Sequence, residues 1–200
     1  MTLALALCAP LVGGCVGSPE VRQGPSYQQR PVRVVLTPAS CGSVEDLCTD
    51  AMVEGTNSFV ANELKFAGFS VVDAVKLARE ARKDDTAHEE VRQFGERILR
   101  AANPRQHGAI FSDLTPTARQ GLMQSADAQG VVTVGIQLGT ADGIGPGRTH
   151  QVLLRLGVGL EDELVWVSRC TADSGVYPDI EQAVDNATRC ALSAALRQSS

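Results

Sequence analysis

"VVTVGIQLGTADGIGPGRTHQVLLRLGVGLEDELVWVSRC", residues 131–170, contains three apolar runs separated by two polar breaks. Residues 131–138, 151–159 and 164–170 are short and rich in β-branched and aliphatic side chains, the composition of strands. The intervening "GTADGIGPGRTH" is too rich in glycine for regular structure, and Glu161-Asp162-Glu163 marks a tight reversal. The stretch therefore predicts a three-stranded meander. Pro178-Asp179 then opens a helix with Ile180, Ala183, Val184, Ala187, Ala191, Ala194 and Ala195 on one face.

Upstream, "RVVLT" at 33–37, ended by Pro38, reads as a first strand. A helix is expected from Ser43, with Asp46 completing an approximate capping box. Val44, Leu47, Cys48, Ala51, Gly55 and Phe59 follow at helical spacing, and Gly68 supplies the stop. "FSVV" at 69–72 is a second strand, and Asp73 can cap a short helix carrying Val75, Leu77, Ala78 and Ala81. Thr86 with Glu89 begins another helix, with Val91, Phe94, Ile98 and Leu99 on its apolar face and Asn103-Pro104 at its end. Thr115-Pro116 begins one more, running to about Ala128. The order β-α-β-α-α-α-β-β-β-α predicts one α+β domain over residues 32–198, with helices packed on a mixed sheet.

A net charge of −5 disfavours a phosphate-tracking surface, so nucleic acid is not an expected partner. No apolar run reaches the roughly 20 residues that a membrane-spanning helix needs. Residues 3–12 instead have the length of the apolar centre of a signal peptide. They lead through Leu11, Val12, Gly13 and Gly14 into Cys15. A buried amino-terminal strand or helix is opposed by Pro10 and by Gly13-Gly14, which would break either element. Residues 16–31, rich in Pro, Gly, Ser and Gln and without helical or strand period, read as a flexible tether. Fully extended, those 16 residues would reach roughly 50 Å.

The "LVGGC" pattern resembles the bacterial lipobox, in which diacylglycerol is attached to the cysteine that becomes the first mature residue. The resemblance implies a signal peptide over 1–14, a lipid on Cys15 and a membrane contact through that anchor. Val16, rather than Asp, implies transfer to the outer membrane, with the domain facing the periplasm. No Lys or Arg precedes Arg22, a departure from the usual positive n-region.

The folded part also resembles a family. "VVLTP", "GFSVVDAVKLARE", "ADAQGVVTVGIQLG" and "LGVGLEDELVWVSRC", closed by an amphipathic helix, are similar to the anticodon-binding-domain-like fold of the TolB amino-terminal domain. That fold is shared by penicillin-binding-protein activator lipoproteins of the LpoB type and curli-secretion lipoproteins of the CsgG type. The resemblance implies a non-catalytic accessory protein that binds an envelope protein partner in secretion, polysaccharide export or wall synthesis. Its alternative is a structural subunit that assembles with copies of itself. The inserted region 83–113 is charged and helical in period, unlike the barrel-forming hairpins of curli channels.

Six cysteines are present. In an exported chain Cys41, Cys48, Cys170 and Cys190 would face an oxidising compartment, and four cysteines allow three pairings. Strand and helix rises favour Cys170 with Cys190: each lies about 13–16 Å from the turn joining their elements. Cys41 and Cys48 then form a local pair. Free buried thiols and zinc are the alternatives, although the spacing lacks the usual zinc pattern. His88, His107 and His150 read as solvated, and no P-loop, GxSxG or HExxH motif occurs. Asp84-Asp85 suit a helix start. "DGIGPG" precedes a strand, not a helix, so it reads as a hairpin loop and not a phosphate cradle. Trp166, within an alternating strand, reads as core. No cofactor and no metal are expected.

Overall fold

The computed structural model describes residues 18–28, 31–43, 48–83, 116–139, 149–159, 161–173 and 179–197. Along the chain these form β1 (Glu20–Gln23), a 3-10 turn (Pro25–Gln28), β2 (Arg33–Leu36), β3 (Ser40–Ser43) and α1 (Asp50–Phe66). There follow β4 (Ser70–Asp73), α2 (Ala74–Lys83), α3 (Pro116–Ala126), β5 (Gly130–Leu138), β6 (Thr149–Val158), β7 (Glu163–Asp173) and α4 (Ile180–Arg197). The helix expected from Thr86 to Asn103 lies outside the described residues, as do Cys15, His88, His107, Asp84-Asp85 and the "DGIGPG" loop.

The architecture is α+β, with helices on a mixed sheet ordered β1-β7-β6-β5-β2-β4. The meander of β5, β6 and β7 is antiparallel, whereas β2 runs parallel to both β4 and β5. α1 and α4 cover one face, where Val34, Val134, Leu154, Leu156, Trp166 and Ala187 join one buried cluster. α2 and α3 cover the other face over β2 and the start of β5, burying Val35 and Val131 beneath Ala78, Leu122 and Met123.

The first helix begins later than its sequence suggests. Pro38 cannot donate to a ladder, and the Ala39 N–H donates to Asn57 Oδ1 instead (3.0 Å). Pairing with β5 then resumes as β3, with Ser40 opposite Gly135 and Ser43 opposite Leu138. Ser43 is therefore a strand residue. The helix starts at Asp50, where Thr49 Oγ1 accepts the Met52 N–H at 3.1 Å. Its buried stripe is Met52, Val53, Thr56, Val60 and Leu64, rotated from the expected face, and Gly55 is exposed. It ends where expected: Gly68 (φ 92°) sits at C′, with its N–H bonded to Lys65 O and that of Phe69 to Leu64 O.

The tether expected over residues 15–31 is also corrected. Glu20–Gln23 pairs antiparallel with the outer edge of β7, and Glu20 forms an ion pair with Arg169. The Gly24 N–H donates to Val165 O at 2.9 Å, and a Cβ on Gly24 would overlap the Leu164 backbone. The "EVRQ" composition resembles a linker because an edge strand half exposed to water needs only one apolar contact, here Val21.

Disulfides join Cys41 to Cys48 (Cα–Cα 6.1 Å) and Cys170 to Cys190 (6.0 Å). The first closes β3 onto the entry of α1, and the second ties α4 to β7. The Ser168 hydroxyl donates to Ala191 O at 2.6 Å beside the second. His150 is fully buried on the α4 side of β6, not solvated as its sequence context suggested, because it continues the inward row of Val152, Leu154 and Leu156. Trp166 is core at 2% exposure.

Loop entropy makes the two bridges unequal. Separations of 20 and 7 residues correspond to about 3.3 and about 2.4 kcal/mol of unfolded-state restriction. Paired Cys→Ser substitution at 170 and 190 is expected to lower Tm by roughly 7–13 °C, and at 41 and 48 by less. Calorimetry of the oxidised variants checks the order.

Candidate functional site

The amino-terminal ends of β2, β4 and β5 and the β6–β7 turn converge at one end of the sheet. Here the backbone donors of the chain entering β2 find a single side chain. Gln129 Oε1 accepts the N–H groups of Val32 (3.0 Å) and Arg33 (2.9 Å), while its own N–H donates to Arg33 O at 3.0 Å. Arg33 Nε in turn donates to Ala126 O, capping the last turn of α3 (2.9 Å). The Gly159 N–H donates to Gln129 O at 3.3 Å, which brings the β6–β7 turn into the same clasp.

That turn carries an ionic cluster. Asp162, in the left-handed region at φ 59°, presents one carboxylate oxygen to both Arg119 of α3 and Arg155 of β6. Arg155 also donates to Asp162 O at 3.0 Å. Gly157 makes room: a Cβ there would lie 2.9 Å from Arg155 Nη1 and 3.2 Å from Arg119 Nη1. Arg119 is 4% exposed, and burial holds its guanidinium below the ordinary arginine value. Asp162 opposes that shift and Arg155 adds to it. Two cations thus share one carboxylate, and the turn that carries it also holds Glu161 and Glu163.

Beside the clasp lies an open cavity of about 720 Å³, lined by Val32, Arg33, Ser70, Met123, Gln124 and Gln129 among others. Val32 is 67% exposed and Phe66, at the end of α1 on the same end of the sheet, is 88% exposed. Exposed single apolar residues are common. Here, however, each stands on fixed backbone, Val32 on the Gln129 clasp and Phe66 on a helix end closed by Gly68 and Phe69, which is how contact surfaces are pre-organised.

A second cavity of about 540 Å³ opens at the carboxyl ends of β2 and β4. The chain leaves β2 for α1 on one face and β4 for α2 on the other, the divergence at which α/β sheets hold ligands. Three of its polar groups serve the fold: Asp73 Oδ1 accepts the Val75 N–H at 2.7 Å, Asn57 Oδ1 holds the Ala39 N–H, and Thr37 Oγ1 donates to Val132 O; Glu54, Asn62, Lys65 and Arg79 line it as well. Among the described residues, no group of three His, Cys, Asp or Glu side chains is placed to hold a metal ion.

Cys41, Cys48, Cys170 and Cys190 lie apart from the clasp, in the two bridges, and Cys15 lies outside the described residues. Arg119, Arg155, Asp162, Gln129, Val32 and Phe66 carried no motif. The nearest signals were Arg155, which breaks an apolar run, and Asp162 within the acidic turn.

No family model and no curated relative matches the chain. Solved structures do resemble it in chain path. The PelC dodecamer from Paraburkholderia phytofirmans is 13% identical, with 88% of this chain and 97% of that one covered at a TM-score of 0.47. Lipoprotein GNA1162 from Neisseria meningitidis is 16% identical over 84% and 97%, at 0.48. The LpoB C-terminal domain from Salmonella enterica is 15% identical over 70% and 82%, at 0.42. Likeness at this level transfers no activity, so function is argued from the residues.

Removing the shared carboxylate strands buried Arg119. Asp162→Ala is expected to cost about 2 kcal/mol, below the range for a fully buried pair because Asp162 is 32% exposed. Asp162→Asn, which tolerates the left-handed backbone and keeps one acceptor, is expected to cost less. Urea unfolding of both variants checks the ordering.

Proposed function

We propose that this chain is a lipid-anchored accessory protein of the cell envelope, held to the outer membrane through Cys15 and acting by docking a protein partner rather than by catalysis. The observation that carries the docking reading is the pair Val32 and Phe66, 67% and 88% exposed at the clasped end of the sheet. Val32 lines an open cavity with polar contact groups, the amides of Gln120, Gln124 and Gln129 and the charges of Arg33 and Asp127. Large apolar anchors within a polar frame are the residues that dominate protein interfaces. The anchor reading is supported by "LVGGC" and by the two disulfides, which suit an oxidising compartment. Secretion, polysaccharide export and wall synthesis are the settings in which such a protein would serve.

Self-assembly is the second reading. It is favoured by β4, which among the described residues ends the sheet on the side opposite β1 and gives a further strand an edge to pair with.

The docking reading is tested in cells by placing a photo-crosslinking amino acid at position 66. A discrete adduct with one envelope protein is expected, reduced at least tenfold by a charge at the other exposed apolar position of this end (Val32→Glu) with Tm unchanged within about 2 °C. Adducts only with a second copy of the chain would replace it with self-assembly. For the anchor, incorporation of a fatty-acid analogue is expected in the wild type and not in Cys15→Ala; equal labelling overturns it.

A further inference from the structure

The correction at the amino terminus changes where the domain sits. It rests on the proposed lipid at Cys15. With residues 16–31 as a tether, the domain would hang as far as roughly 50 Å from the bilayer. With Glu20 already paired to Arg169, only residues 16–19 remain between the acylated cysteine and the sheet. From Cys15 to Glu20 is five residue steps, about 17 Å when fully extended.

The direction of β1 decides which end of the domain is held. β1 runs antiparallel to β7, so its amino terminus points toward the carboxyl end of β7. From Arg169, β7 continues four residues to Asp173, about 13 Å of strand. A chain leaving Glu20 along the strand can therefore place Cys15 only about 4 Å past the end of β7. So short a link holds the domain close to the bilayer, and the direction of β1 turns this end of it toward the headgroups.

The chemistry of that end suits the contact. The end of β5, the start of β6 and the end of β7 frame a shallow groove of about 490 Å³, lined by Gly42, Gln137, Gly139, Thr149, Gln151 and Thr171 with Leu138. These are hydroxyls, amides and glycines. Among the described residues that line the groove none is a carboxylate, although the chain as a whole carries −5. The clasped end, with Val32 and Phe66, lies a strand length away; the nine residues of β5 alone span about 30 Å.

The geometry points to a domain that rests on the membrane which anchors it, with the carboxyl ends of β5 and β7 against the lipid surface and the Val32–Phe66 end directed away from it. The occupant of the Gln137–Thr149–Thr171 groove is thus phospholipid headgroup. The anchored domain presents its apolar pair at a fixed height of about 30 Å, where a partner's periplasmic part would be met.

The test uses the full-length protein in its own membrane. A benzophenone amino acid is placed at Thr149 or Gln137 at one end, and at Phe66 or Gln124 at the other. After irradiation, phospholipid adducts are quantified by mass spectrometry, and the acylated amino-terminal peptide is measured in the same samples. At least fivefold more lipid adduct is expected at Thr149 and Gln137 than at Phe66 and Gln124. Inserting 20 Gly/Ser residues between positions 18 and 19 is expected to lower the first pair to the level of the second, with acylation unchanged. Acylated protein with equal adducts at both ends, or with adducts indifferent to the insertion, overturns this orientation and leaves the anchor standing. Absence of the acylated peptide overturns both.

Discussion

The contact of α4 with β6 and β7 is the constraint on which the rest of the molecule is built. A helix can lie close to a sheet only where its facing side chains are small. α4 presents Ala183, Ala187, Ala191, Ala194 and Ala195, all buried. That approach lets the Ser168 hydroxyl reach the Ala191 carbonyl and brings Cys190 within bridging distance of Cys170. Trp166 supplies the volume the alanines do not, and it packs in the same cluster as Leu154 and Leu156. One long helix thereby fixes the register of two long strands, since a one-residue slip would turn Ser168 and Trp166 to the opposite face.

Once β7 is held from one side, its outer edge becomes a template. β1 uses it with only four residues, a length that would not persist without a pre-formed strand to pair with. The edge it creates is short and carries Glu20, Arg22 and an ion pair to Arg169, the usual protection against open-ended pairing. Gly24 then lets the chain cross tightly over Leu164 before entering the clasp at Gln129. The amino-terminal segment is therefore bound to the sheet at two places, along β7 and at the start of β2.

The sequence disclosed those parts of the fold whose signal is carried by neighbours along the chain. The meander was legible because residues 131–170 alternate, and α4 was legible because its alanines recur at helical spacing. Asp73 was legible as a cap and Gly68 as a stop for the same local reason. Ser43 was misread because its pairing partner, Leu138, is 95 residues away and outweighs a weak capping pattern. β1 was misread because an edge strand borrows its order from β7 and needs little of its own. His150 was misread because burial follows the row of Val152, Leu154 and Leu156, not the residue type. The candidate site was not legible at all. Gln129 looks like any surface amide until it is seen accepting two backbone donors 96 and 97 residues away, and Asp162 looks like one acid among three.

Pre-organisation links these observations to the proposed role. A partner docking on Val32 pays little ordering entropy, since the Val32 N–H is already held by Gln129 and Arg33 is fixed to α3. Phe66 is set by a helix end whose carbonyls are satisfied through Gly68 and Phe69. The same stiffness extends through β5 to the opposite end of the sheet, because β5 is paired on both sides along its length. In the proposed anchored state, a load applied at the clasped end would therefore reach the lipid through a sheet and not through a coil. A 50 Å coil lets a domain search a volume, whereas a four-residue link and a rigid strand fix both its height and its tilt. An accessory protein built this way sets the distance at which its partner is held from the membrane.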